Sequence, residues 1–395
     1  MKKHFLLLIC CITGIVHSQT WQQLADFPGT ERDDGTVFVI GSQVYCGLGM
    51  NAWFDCSNDF QVFDLGTESW SLGPELPVAA ARQYANGFAH NGSGYIFGGI
   101  DAAGNFLNDL WKLDPETGTW AVLPSMPATG RSGAVCFVIA DTAYIIGGRN
   151  AAANALNEVW AYDLSNGSWI QRAALPFDGT WRGVAFSWQG KGLIGLGKDN
   201  PSNLHEAWYS YTPGTDSWEI VPALTTGGTT YTAFTQVENH AFLYGGMDAS
   251  GTLLNTFLRL DLETFQFHVL PDFPATARKG GLAFAGNGTF YLTTGVSTTA
   301  RSKETWKVAD VLTIAANTSE NRVALFPNPA QGAFTVQATT AIRQITLRDL
   351  CGKTLLQKQV SGKSTMVEKI FFPPGIYLLE VAGDGFAVVE KLVLN

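Results

Sequence analysis

Five arginines recur at matching points of this chain. Arg32, Arg82, Arg131 and Arg278 each stand six residues before a phenylalanine (Phe38, Phe88, Phe137, Phe284), and Arg182 stands four before Phe186. A guanidinium presents its donors in a planar fork that grips a carboxylate through paired hydrogen bonds. Several of them on one surface would hold an anion. The surrounding body is acidic: residues 19–318 carry 15 Lys/Arg against 28 Asp/Glu, so a cluster of five arginines concentrates a third of its positive charge. Trp181 adjoins Arg182, and Trp53 lies in the variable loop 50–59. An indole beside a charged group can stack on a sugar ring. The expected ligand-binding residues are therefore Arg32, Arg82, Arg131, Arg182, Arg278, Trp53 and Trp181. The competing expectation is that each arginine pairs locally with an acidic loop residue such as Asp33 or Asp34.

Other chemistry finds little support. No nucleophile triad, phosphate loop or zinc spacing occurs, so no metal, cofactor or catalytic residue is assigned. Beyond the N-terminus the histidines are His90, His205, His240 and His268, and their strand positions keep them from converging. Glu158 and Glu206 are the glutamates nearest the arginine set and would be the proton donors or acceptors of an enzymatic alternative. Cys46, Cys56, Cys136 and Cys351 match no metal site or dense disulfide framework. A Cys46–Cys56 bridge is one possibility, free buried thiols the other. Net charge is -9, and an acidic body repels nucleic acid and anionic membranes.

What must position the arginines is a repeat. LNDLWKLDPETGTW (107–120) returns as LNEVWAYDLSNGSW (156–169), NDFQVFDLGTESW (58–70) and LHEAWYSYTPGTDSW (204–218), with a looser copy at 254–267. The closing aromatics Trp21, Trp70, Trp120, Trp169, Trp218 and Phe267 are spaced by 49 or 50 residues. Such a period denotes stacked copies of one supersecondary unit. Each copy reads as four short strands split by Gly, Asn, Asp and Pro turns, the second ending in glycines as in YIFGG (95–99) and YIIGG (144–148). Four-stranded units at this period form the blades of a propeller. The loops before the first strand and after the second share one face, which puts the arginines around the mouth of the axial channel.

The glycine pairs, aromatic third strand and regularly spaced tryptophans resemble the kelch repeat. Six copies of the first three strands are present, the sixth lacks a fourth strand, and TWQQL (20–24) supplies one. The resemblance implies an all-β chain with a six-bladed propeller over 19–310, closed by the Trp21 strand. It also implies that arginines in this column bind acidic peptide or sugar carboxylates. A linker is expected at 311–320. The remainder, 321–395, alternates apolar residues between Gly/Pro turns and reads as a small Ig-like β-sandwich. Its Pro327-Asn328-Pro329, Asp349 with Gly352-Lys353, Pro374-Gly375-Ile376-Tyr377 and Lys391-Leu392-Val393 resemble the type A sorting domain of the type IX (Por) secretion system of Bacteroidetes. Residues 1–18, with Lys2, Lys3 and an apolar run, read as a signal peptide. The chain is thus expected outside the cell or on its surface, with no transmembrane segment after cleavage. Its expected partners are the type IX machinery and a carbohydrate or acidic protein ligand. The leading functional expectation is a non-catalytic binding module. The alternatives are a sialic-acid mutarotase or epimerase, which resembles this chain in having a six-bladed kelch ring with channel arginines, and a surface scaffold or adhesin without a pocket.

Overall fold

The computed structural model describes residues 20–200, 203–225, 227–312 and most of 323–394. The signal peptide (1–18), Cys351, Pro329 and most of the linker lie outside the described residues. Six antiparallel four-stranded units follow one another. Blade 1 comprises Thr36–Ile40, Gln43–Gly47, Phe60–Asp64 and Ser69–Leu72 in sequential order. The innermost strands of blades 2 to 6 are Asn86–His90, Val135–Ile139, Val184–Trp188, Ala233–Val237 and Leu282–Gly286. They surround an axial channel of about 350 Å³. Blade 6 takes its outer strand, Trp21–Gln23, from the other end of the propeller, with Trp21 opposite Val308 and Gln23 opposite Trp306. The chain then leaves under Arg259, which is buried and donates to the carbonyls of Val311 and Leu312 at 2.9 and 3.0 Å.

Packing between blades explains the repeated residue types. Phe38 of blade 1 lies so close to blade 2 that a Cβ on Gly94 would stand 2.1 Å from its ring; only glycine fits there. The outer tryptophans tie neighbours together by hydrogen bonds. Trp120, Trp169 and Trp218 donate Nε1–H to the carbonyls of Pro74, Pro124 and Ala173, at 3.0, 2.7 and 2.9 Å, on the loop leaving the preceding blade. Trp21 does the same to Pro271 at 2.8 Å. Blade 5 carries Phe267 here and lacks the donor. Trp169→Phe should copy that blade and lower the stability of the propeller by about 1 kcal/mol, the worth of one such bond. Its denaturant midpoint measures this, and an unchanged midpoint would mean that the indoles only fill space.

The tail is built of Val323–Phe326, Phe334–Arg348, Thr354–Val367, Gly375–Gly383 and Phe386–Leu394. The long strand Phe334–Arg348 changes register between Gln337 and Ile342. Before the break it pairs with Val323–Phe326, and after it with Gly375–Gly383. The five strands are connected through this long strand and enclose a core that includes Val336, Ile345, Leu347, Leu379 and Leu392. The motif residues fix its corners. Asn328 donates to the Lys391 carbonyl and accepts from the Val393 amide, at 2.7 and 2.9 Å. The Tyr377 hydroxyl donates to the Pro373 carbonyl at 2.6 Å, and the Lys353 amide to the Asp349 carboxylate at 2.9 Å.

Candidate functional site

Four of the five arginines do not ring the mouth. Arg32, Arg82, Arg131 and Arg278 lie inside their blades, each at most 4 % exposed. Each pairs with a carboxylate at the start of its own blade's third strand: Asp59 at 2.6 Å, Asp109 at 2.7 Å, Glu158 at 2.6 Å and Glu304 at 2.5 Å. A second donor reaches the carbonyl sixteen residues on, of Leu48, Gly98, Gly147 or Thr294. The third, Nε, bonds two residues back. A guanidinium so buried must be fully partnered, and these staple the entry loop to two strands of the same blade. The pairing is local, but with partners 26 or 27 residues downstream, not with Asp33 or Asp34. Blades 4 and 5 replace both members together, with Thr180 and Ala207, and with Thr229 and Thr256. Glu158 is committed to Arg131, and Glu206 is exposed; neither is a free proton donor at the mouth.

The mouth is formed two residues further along each entry loop, by Asp34, Tyr84, Gly133, Arg182, Tyr231 and Gly280. All six have left-handed backbone, with φ between 55° and 63°. This turns each peptide toward its neighbour. The amide of Asp34 bonds to the carbonyl of Gly280, Tyr84 to Asp34, Gly133 to Tyr84 and Arg182 to Gly133, at 2.9, 2.8, 3.0 and 2.7 Å. With the Tyr231 amide 3.4 Å from the Arg182 carbonyl, the chain of bonds runs from Gly280 round to Tyr231 as a collar around a cavity of about 130 Å³.

Arg182 is therefore the one expected arginine that reaches the mouth. Its guanidinium carbon lies 4.2 Å from the Tyr84 ring centre, 4.2 Å from Trp181 and 3.8 Å from Tyr231. Its Nε is buried without a hydrogen-bond partner. The aromatic faces hold the charge in place and leave its donors uncommitted to any carboxylate. Three more cations gather round it. Arg149 lies 5.1 Å and Lys198 5.9 Å from the Trp181 ring, and Lys279 4.6 Å from Tyr231. Among the described residues none of the four has a carboxylate within 4 Å. Burial pushes the Arg182 and Lys198 pKa values down, Arg149 adds to the effect on Arg182, and Arg182 and Lys279 add to it on Lys198.

The opposite side is acidic. Asp34 is 9 % exposed, and burial pushes its carboxyl up to about 7, against the pull of Arg182 and with the help of Asp33. Asp33 bonds to Arg301 Nε at 2.5 Å, and the Arg301 guanidinium carbon lies 4.8 Å from the Phe54 ring centre. Trp181 is buried in the cation group, whereas Trp53 is 70 % exposed on the rim loop of blade 1. Asp101 and Asp248 cap their own loops as Asx turns. Cys46, Cys56 and Cys136 are free thiols, so the Cys46–Cys56 bridge does not form. Among the described residues no group of three His, Cys, Asp or Glu is placed to hold a metal, and no helix is long and apolar enough to cross a membrane. Sequence reasoning missed Asp34, Tyr84, Arg149, Tyr231 and Lys279. Counting the repeat from Arg131 shows Arg182 to be two places out of the arginine column, which would have exposed the collar.

Residues 35–229 match the KLHDC2/KLHL20/DRC7 Kelch-repeats domain, and residues 324–395 the secretion system C-terminal sorting domain. Kelch domain-containing protein 3 of Homo sapiens is 32% identical over 127 residues, covering 28% of this chain and 33% of that protein. N-acetylneuraminate epimerase of Shigella sonnei is 33% identical over 110 residues, covering 26% of this chain and 28% of the enzyme. The aligned stretch thus spans about a third or less of these curated relatives. The solved structure of YjhT superposes with a TM-score of 0.59 at 17% identity, over 71% of this chain and 96% of that one. At that identity the likeness is one of fold.

Proposed function

Because this chain is a kelch-repeat β-propeller sent to the cell surface or the medium by a type IX sorting tail, we propose that the propeller is an extracellular binding module whose axial mouth takes the carboxylate of an anionic carbohydrate. One observation carries the reading: Arg149, Arg182, Lys198 and Lys279 stand together, with no carboxylate within 4 Å of any of them among the described residues, in an otherwise acidic body. Like charges held together repel. An incoming anion relieves the repulsion and supplies the missing acceptors. The 130 Å³ cavity suits a single small group, and Tyr84 and Tyr231, which line it, hold Arg182 between them.

Arg182→Gly is the cleanest test. Gly133 and Gly280 already occupy this place in blades 3 and 6, so the left-handed backbone is kept. Loss of a charge-assisted contact of about 1.5–3 kcal/mol should weaken binding of acid-terminated saccharides by roughly 10- to 100-fold, measured by calorimetry after a glycan array. Unchanged affinity would overturn the reading.

A second reading is supported by Asp34. A carboxyl titrating near 7 beside Tyr84, facing the same cavity, is suited to proton transfer, as an epimerase or mutarotase acting on N-acetylneuraminate would need. In NMR anomerisation of that sugar, a rate above background that Asp34→Asn removes would favour catalysis; a background rate leaves binding alone.

A further inference from the structure

The rim loop of blade 1 departs from its counterparts in a way the fold does not call for. Asn51 opens it as an Asx turn, its Oδ1 accepting from the amides of Trp53 and Asp55 at 2.9 and 3.0 Å. The same turn is opened by Asp101 in blade 2, Asn150 in blade 3 and Asp248 in blade 5. After it those blades place small residues: Ala103-Gly104, Ala152-Ala153 and Ser250-Gly251. The second position has positive φ in all of them, 84° at Gly104 and Gly251, and 63° at Ala153. In blade 1 that position is Phe54, with φ 66°, beside Trp53. A bulky side chain is disfavoured in this conformation. Nor is it compensated by burial, since Trp53 and Phe54 are 70 % and 72 % exposed. Two exposed aromatics on a rigid turn, where glycine or alanine serves elsewhere in the same molecule, are a feature retained at a cost to stability.

The loop is also connected to the mouth. The Arg301 guanidinium carbon lies 4.8 Å from the Phe54 ring centre, and the Arg301 Nε donates to Asp33, the residue before collar residue Asp34. An aromatic platform therefore continues the acidic side of the mouth outward, across from the cation group.

Building on the anion-binding reading above, we propose that the ligand is an acidic oligosaccharide: its charged terminal residue enters at Arg182, and a following sugar lies on the Trp53–Phe54 platform. The apolar face of a pyranose fits one indole. A protein partner fits poorly, because it needs about 800 Å² of surface per side and several anchors. Here the corresponding turns of blades 2, 3 and 5 present only Ala, Ser and Gly. The Asx turn holds the platform in place before binding, which limits the ordering cost.

The test compares chain lengths on the full-length protein. Calorimetry is run with N-acetylneuraminate and glucuronate as single residues, and with di- to tetrasaccharides ending in each. At least one longer chain is expected to bind about tenfold or more tightly than its single residue. The double change Trp53→Ala, Phe54→Gly should erase that gain and leave the single residue unchanged, whereas Arg182→Gly should weaken both. Three results would overturn the proposal: no gain with length, a gain that survives the double change, or a platform that binds a protein independently of sugar. If single residues bind without a length effect, only the oligosaccharide assignment fails. If neither singles nor chains bind, the anion-binding reading falls with it.

Discussion

Replacing Arg131 with methionine is expected to destabilise the propeller by about 2–3 kcal/mol, less than the cost of breaking a fully buried ion pair, because the Glu158 left behind is partly exposed. Arg131 is fully buried; it bonds Glu158 at 2.6 Å, the Gly147 carbonyl at 3.1 Å and the Thr129 carbonyl at 3.3 Å. The change would leave Glu158 unpaired, with only the Trp160 indole at 3.1 Å for company, and would strand two carbonyls. Glu158→Gln alone should cost less, since the amide still accepts from the guanidinium. The informative variant is the pair Arg131→Thr, Glu158→Ala. Blade 4 is already built this way: Thr180 bonds the Leu196 carbonyl at 3.4 Å, sixteen residues on, and Ala207, at the acid's place in the repeat, lines the same small cavity as Thr180. The double variant should recover most of the stability lost by the single one, a coupling that a double-mutant cycle on denaturation midpoints reads directly. Additive losses would mean that Arg131 acts through its carbonyl bonds and not through the acid.

That result would also show why the arginines were readable as a column but not as staples. The 49-residue period, the tryptophans and the glycine pairs lie in the strands, where every blade needs the same packing, so the repeat announces the propeller. The arginines share that regularity for the same reason: Arg32, Arg82, Arg131 and Arg278 solve one internal problem four times. Their partners Asp59, Asp109, Glu158 and Glu304 follow at a fixed distance, and where the arginine is absent the acid is absent too. This paired loss at Thr180/Ala207 and Thr229/Thr256 was present in the sequence and pointed to a structural role. The mouth gives the opposite signal. Asp34, Tyr84, Gly133, Arg182, Tyr231 and Gly280 share a backbone conformation but not one common side chain, so no repeat marks them. Only the folded collar brings Asp34 near Arg182, 148 positions apart in the chain. In a symmetric ring, a single ligand needs unlike residues at equivalent places.

Asp34 carries the second large effect, and it depends on pH. Its carboxyl titrates near 7 in the folded protein because burial, with Asp33 alongside, opposes the charge more than Arg182 favours it; unfolded it would titrate near 3.9. The folded state therefore holds the proton more tightly. Stability from this group is full below the unfolded value, falls as pH rises toward 7, and stays low above it. Asparagine tolerates the left-handed backbone at this position and carries no charge. Asp34→Asn should therefore match the wild type near pH 4 and exceed it increasingly up to pH 8. Denaturation midpoints across that range test it, and parallel curves for the two proteins would show that Asp34 does not retain its proton. The same titration bears on the ligand. Below pH 7 a neutral Asp34 leaves Arg182 and its neighbouring cations to an incoming carboxylate. Above it the Asp34 carboxylate competes for Arg182 and repels the ligand. Affinity for an acidic saccharide should then fall several-fold between pH 6 and 8 in the wild type and stay flat in Asp34→Asn, so that one residue sets both the stability of the empty mouth and the pH at which it releases an anion.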